Sequence, residues 1–174
     1  MTPLPAALGG TGLVAWHLET TRHVSTWDTG QGAFLVGGRW SSVGRRVIYT
    51  SLDPSTAILE AGVHKGLDTL DVVPHTLLEI AISDPAPVHV VDPAAIPNPQ
   101  WLQPGVVSAA QQAFGDGLLA RHPLVVLPSV VSSHSWNLLI DAASAVKLFK
   151  LVRSAHFALD RRLNLTGAPR KARP

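Results

Sequence analysis

Residues 46–66 leave the chain few ways to fold. RVIYTS (46–51) is rich in β-branched residues and reads as a strand. Asp53 then stands where a helix needs its N-cap, and Pro54 suits the first helical position, whose N–H has no intrahelical partner. Ala57, Ile58 and Ala61, with Leu59, give the helix an apolar face, and Gly66 supplies a stop. Glu60 and His64 are four residues apart on this helix and share a side.

The flanking chain follows one pattern of short strands and few helices. Strands are expected at 13–18, 75–82, 87–92 and 124–131, the last broken by Pro128, with further extended pieces at 136–142 and 145–150. Residues 23–46, rich in Gly and small polar residues, read as mostly loop with short extended pieces, and 93–105 as turns. Helices are expected at 106–120, around a Gly115-Asp116-Gly117 interruption, and at 151–163 as a closing element. This mixture predicts a single α+β domain over 12–163, with a loose leader at 1–11 and a flexible basic tail at 164–174.

Composition narrows the function. A chain of 174 residues with 46% hydrophobic and 15% charged residues is not a disordered one. No apolar run approaches the roughly 20 residues of a spanning helix, so no membrane role is expected. The segment 1–10 lacks the positive start and apolar run of a secretory signal, which predicts a cytoplasmic protein. With no cysteine there is no disulfide, thiolate metal site or cysteine nucleophile. Residues 145–174 hold eight Lys or Arg against one acid, a net +7, whereas the rest holds six against eleven, a net −5. Such a tail can serve nucleic acid, membrane or an acidic partner, but only Phe149 and Phe157 interleave its charges and no binding motif appears, so no direct nucleic-acid contact is expected.

Candidate chemistry gathers between residues 37 and 64. Gly37-Gly38 lets backbone approach a ligand, and Arg39 beside it can fork onto a phosphate or a ribose. Tyr49, the single tyrosine, offers a ring to a flat heterocycle, and Glu60 adds a carboxylate. Each has an ordinary structural alternative: a turn, an ion pair, a core tyrosine, a solvated helix residue. Their order and spacing together favour the site. Arg46 reads first as a solvated loop charge and second as a phosphate contact, and His64 first as a packed or hydrogen-bonded residue and second as a contact to an acceptor or partner. The eight histidines contain no HxH or HxxxH pair, so no metal is expected. There is no P-loop and no G-x-S-x-G elbow, and GGTG (9–12) precedes the first strand.

Gly37-Gly38-Arg39-Trp40-Ser41, then Val47-Ile48-Tyr49-Thr50, then Ser55 to His64 with Leu59-Glu60 at its centre resembles the RES domain, the toxin half of a class of bacterial toxin–antitoxin modules. Leu127-Pro128-Ser129 and the stretch from Asn137 are similar to its later V-P-S and asparagine-containing segments. Ser41 stands where the family has asparagine, and Asp141-Ala142 where it has Asn-Pro. The resemblance implies a fold similar to the diphtheria-toxin type of ADP-ribosyltransferase, with small central β-sheets flanked by helices. It also implies cleavage of NAD, a substrate rather than a cofactor, and an Xre-type helix-turn-helix antitoxin covering the site. Its characteristic Arg, Glu and Ser fall on Arg39, Glu60 and Ser129. Glu60, Arg39 and Tyr49 are then the expected catalytic residues; Gly38, Ser41, Ser129 and Asn137 join Arg39 and Tyr49 in binding substrate. The acceptor of ADP-ribose is open between a target protein, which is favoured, and phosphate or water, which would make the protein an NAD phosphorylase or glycohydrolase. A non-catalytic antitoxin- or nucleotide-binding protein is the remaining alternative.

Overall fold

The structure, a computed structural model, describes residues 12–163; the expected leader (1–11) and basic tail (164–174) lie outside the described residues. Seven strands form the framework: β1 (Leu13–Thr20), β2 (Val47–Ser51), β3 (His75–Ile82), β4 (Val88–Val90), β5 (Leu124–Pro128), β6 (Trp136–Asp141) and β7 (Phe149–Phe157). They make one mixed sheet in the order β4-β5-β6-β2-β1-β3-β7, antiparallel except for β4 with β5. With four helices, α1 (Gln31–Val36), α2 (Pro54–Lys65), α3 (Leu67–Val72) and α4 (Ala109–Leu119), this is the expected α+β domain.

The expected small sheets are two halves of one sheet. β1 and β3 share eight paired positions, and β2 and β6 share five, but β1 and β2 share one, Trp16↔Ser51. The two halves therefore meet at a weakly paired seam. One face of both halves carries a single core cluster, from Leu78 and Ile80 of β3 through Ala15 of β1 and Ile48 of β2 to Leu138 and Ile140 of β6 and Leu124 and Val126 of β5. Alternation sends the intervening residues to the other face. There Val125, Leu127 and Leu139 pack with Leu118 and Leu119 of α4, while Leu18 and Leu77 pack with Ile58 and Ala61 of α2 and Leu70 of α3. Two helical covers on one face leave a strip of β2 and β6 between them, and the candidate residues border it.

Several expectations are corrected. Residues 23–46 contain no extended strand. A 3-10 segment, Thr21–Thr29, leads into α1, and tertiary contacts hold both: the Trp27 ring meets Phe149 edge-on at 5.6 Å, and the Arg46 guanidinium lies 4.5 Å over Phe34. α3 follows directly on Gly66, where the sequence suggested only a stop. α4 runs uninterrupted through Gly115 and Gly117. Instead of an extended piece at 145–150 and a helix at 151–163, the chain forms β7 across both, paired along β3. Seven consecutive residues of β7, Lys150 to His156, are exposed, so the strand has no buried face to impose alternation on its sequence.

Candidate active site

α2 carries the first wall. Asp53 accepts from Thr56 N at 2.8 Å as its N-cap, a bond worth about 1 kcal/mol. The other Asp53 oxygen accepts from the Ser135 hydroxyl, which itself accepts from Thr56 Oγ1 at 2.9 Å. Burial works to raise the Asp53 carboxyl, but the hydrogen bonds from Ser135 and Thr56 outweigh it and hold it below the usual carboxylate range. This ties the start of α2 to the loop after β5.

Two turns along, Glu60 Oε1 accepts from Ser129 Oγ at 2.9 Å and from Asn137 Nδ2 at 2.5 Å. Both donors are themselves held: Asn137 Oδ1 accepts from Ser51 Oγ at 2.7 Å, and Ser129 Oγ accepts from Ser132 N at 3.0 Å. Ser129 and Asn137 are buried, at 4% and 9% exposure, so their polar groups reach little water. Glu60 is half-buried, and its Oε2 has no hydrogen-bond partner among the described residues. One carboxylate oxygen is anchored and the other is available to a ligand.

The Gly37–Ser41 turn forms the second wall. Gly37 has φ 73°, a conformation that an L side chain adopts with strain. A Cβ on Gly38 would stand 2.4 Å from the Tyr49 hydroxyl. That hydroxyl accepts from Trp40 N at 3.1 Å and shares a hydrogen bond with Ser41 Oγ at 2.9 Å. Burial pushes the Tyr49 hydroxyl up to about 12 against those two bonds, so it stays protonated at neutral pH. α4 braces the turn from outside: Gln112 Nε2 donates to Gly38 O at 2.9 Å and Asp116 accepts from Ser42 N at 3.2 Å. Gly115 has to lack a side chain, because a Cβ there would meet Trp40 O at 2.0 Å. Arg39, half-buried at the apex, makes a single hydrogen bond, 3.3 Å to Gly105 O, and no ion pair among the described residues.

The structure therefore joins Glu60, Ser129 and Asn137 in one network and Gly38, Ser41 and Tyr49 in another. Ser41, expected against substrate, is fully buried, and its hydroxyl is used on Tyr49. The Tyr49 hydroxyl is likewise engaged, which leaves its half-buried ring as the part open to a heterocycle. His64 is exposed on the Glu60 side of α2. Arg46 belongs to a separate surface group, bonded to Thr29 O at 3.2 Å and Gln31 Oε1 at 2.7 Å. Sequence reasoning missed Ser51, Gln112, Gly115 and Asp116; the one local signal was the glycine at 115 in an otherwise helical segment. Among the described residues no three His, Asp or Glu side chains are grouped to hold a metal, and no helix is long and apolar enough to cross a membrane. The chemistry on offer is a fixed carboxylate, a guanidinium with no ion pair among the described residues, and an aromatic ring on β2 whose hydroxyl feels the Glu60 charge.

The RES domain family matches residues 14–162. The Toxin Res of Photorhabdus laumondii subsp. laumondii is 27% identical over 154 residues, covering 87% of this chain and 97% of the relative. The Prs ADP-ribosylating toxin of a Sphingobium species is 32% identical over 135 residues, covering 74% of this chain and 81% of the relative. Among solved structures, a chain of the M. tuberculosis MbcT–MbcA toxin–antitoxin complex matches with a TM-score of 0.68 at 16% identity, covering 84% of this chain and 85% of that one. At that identity the likeness is one of fold.

Proposed function

Given that the chain belongs to the RES-domain family of toxins, we propose that it is the toxin of a toxin–antitoxin pair and cleaves NAD at the nicotinamide–ribose bond, passing ADP-ribose to an acceptor. The observation that carries this reading is the Glu60 carboxylate, held through Oε1 by Ser129 and Asn137 with Oε2 unpartnered. Nicotinamide leaves as a neutral base from a cationic ring, so no general acid is needed. The bond electrons go to the nicotinamide nitrogen, and positive charge develops on the ribose as in an oxocarbenium ion. Glu60 Oε2 accepts from a ribose hydroxyl and offsets that charge from a fixed position. Arg39, with no carboxylate partner among the described residues, takes a phosphate or the nicotinamide-side ribose, and the Tyr49 ring packs on nicotinamide. The acceptor's nucleophilic atom then bonds to the ribose carbon and loses its proton. NAD is consumed as substrate, and no further cofactor is called on.

Transfer to a target protein is the favoured outcome, supported by the Sphingobium relative, whose name describes an ADP-ribosylating toxin. In this reading the two-part sheet corresponds to the diphtheria-toxin-type ADP-ribosyltransferase fold, working in the cytoplasm. An Xre-type antitoxin covers the site. Exposed Leu59 and Val63 beside Glu60, and Leu35, Val36 and Val43 flanking the glycine turn, give such a partner an apolar rim. The test is incubation with NAD, with and without phosphate and with cell extract, followed by chromatography. Free nicotinamide with labelled protein is expected. ADP-ribose or ADP-ribose-1″-phosphate alone would move the acceptor to water or phosphate, and no nicotinamide under any condition would leave the non-catalytic reading.

A further inference from the structure

At the seam of the sheet the ladder between β1 and β2 stops after one pair, Trp16↔Ser51. Even-numbered residues of this stretch turn their backbone toward β6: Arg46 O accepts from Ala142 N and Leu52 N donates to Trp136 O, both at 3.0 Å. By alternation the Tyr49 carbonyl points the other way, into the gap beside β1. Its partner there is a side chain, His17 Nδ1, at 2.8 Å. A carbonyl only accepts, so Nδ1 carries the hydrogen. His17 Nε2 faces Glu19 Oε2 at 3.3 Å, and Glu19 Oε1 pairs with Lys65 Nζ, 3.6 Å away in the last turn of α2. Burial works to raise the Glu19 carboxyl, but the His17 hydrogen bond and the His17 and Lys65 charges outweigh it and bring it to about 2. The acceptor at that end is therefore ionised throughout the neutral range, and His17 donates to both partners in its imidazolium form, in which Nε2 carries a hydrogen as well as Nδ1. A continuous side-chain bridge runs from the strand that carries Tyr49, through β1, to the helix that carries Glu60.

We propose that His17 is a positioning residue for the reaction: in place of missing strand pairing, it sets the distance between Tyr49 on β2 and Glu60 on α2. The proposal rests on the NAD-cleaving reading above. His17 acts only through its neighbours, with its side chain 20% exposed at the seam.

The test compares H17A, H17N and H17Q in the full chain. Asparagine places its amide nitrogen near the Nδ1 position and keeps the bond to the Tyr49 carbonyl; glutamine reaches toward the Nε2 position and keeps the Glu19 contact alone. Nicotinamide release by H17A and H17Q should fall about tenfold in kcat with KM changed less than about twofold, and H17N should recover most of the rate, because small misplacements of reacting groups cost up to about 100-fold. Amide hydrogen exchange over residues 47–51 and 54–65, read by mass spectrometry, measures the bridge without turnover: faster in H17A, restored in H17N. Unchanged kcat in H17A, or an H17N variant as impaired as H17A, overturns the proposal. Should wild type release no nicotinamide, the functional reading falls separately. Unchanged exchange in H17A then overturns this proposal as well, whereas faster exchange reversed by H17N supports it.

Discussion

The two parts of the candidate site are built to opposite rules. On the α2 wall the charged group is over-determined: Glu60 Oε1 takes two donors, and each donor is held by a further bond, from Ser51 or from the Ser132 backbone. At the glycine turn the backbone is over-determined, by Tyr49, Gln112 and Gly115, while Arg39 has one 3.3 Å hydrogen bond. Under the proposed reaction, the difference teaches where each charge is needed. A carboxylate that meets charge developing on a ribose works best when it does not have to reorganise during the reaction. A guanidinium that meets a flexible diphosphate gains from keeping its rotamers until the ligand arrives.

That contrast can be broken in graded steps. The largest effect is expected from E60Q. Glutamine can still accept through Oε1 from Ser129 and Asn137, so the melting temperature should hold, while kcat for nicotinamide release drops by about 100-fold to 1,000-fold, the range of a lost electrostatic stabiliser. Equal release by E60Q and wild type would remove Glu60 from the chemistry. N137A comes next: it strips one donor from Glu60 and leaves the buried Ser51 hydroxyl without its acceptor. A loss of about 1–3 kcal/mol in urea unfolding should accompany a lower kcat. R39A should show the opposite signature, KM raised about tenfold with a smaller change in kcat, as for binding shared by ground and transition states. A fall in kcat alone would place Arg39 with Glu60 rather than against it.

Smaller effects sharpen the picture. Y49F keeps the ring and removes the hydroxyl that holds Trp40 N and Ser41, so it should cost about 1 kcal/mol of stability. Because the folded pKa of Glu19, about 2, lies below its ordinary 4.5, the stability Glu19 contributes is complete above about pH 4.5 and is lost as pH falls toward 2. Thermal melts of wild type and E19Q should converge over that interval; a gap that stays constant would count against a bridge through Glu19.

What could be read from the sequence was what local rules decide. β2 and α2 announce themselves through β-branched residues, an Asp cap and a Pro at the first position, and they place Glu60 and His64 on one side of a helix. The Arg–Tyr–Glu spacing and the resemblance supplied the candidate residues, of which the structure joins Glu60, Ser129 and Asn137 in one network and Gly38, Ser41 and Tyr49 in another. Hidden were features whose cause lies far along the chain. β7 reads as a helix because an edge strand exposed on both faces carries no alternation, and its conformation is imposed by β3. Gly115 reads as a flaw in α4 because the Trp40 carbonyl that forbids a side chain there is distant in sequence. The engagement of the Ser41 and Tyr49 hydroxyls with each other depends on the fold of the turn, which composition alone does not supply.

Glu60 lies 69 residues before Ser129 and 77 before Asn137. During synthesis the helix and the glycine turn are made early, and the groups that aim the carboxylate are made late. A growing chain, or a product truncated before residue 129, carries every expected catalytic residue and lacks both donors to Glu60. Under the proposed reaction, the capacity to act on NAD should therefore arrive only after Asn137 has been made, so that a message interrupted before it yields an idle fragment instead of a half-made poison.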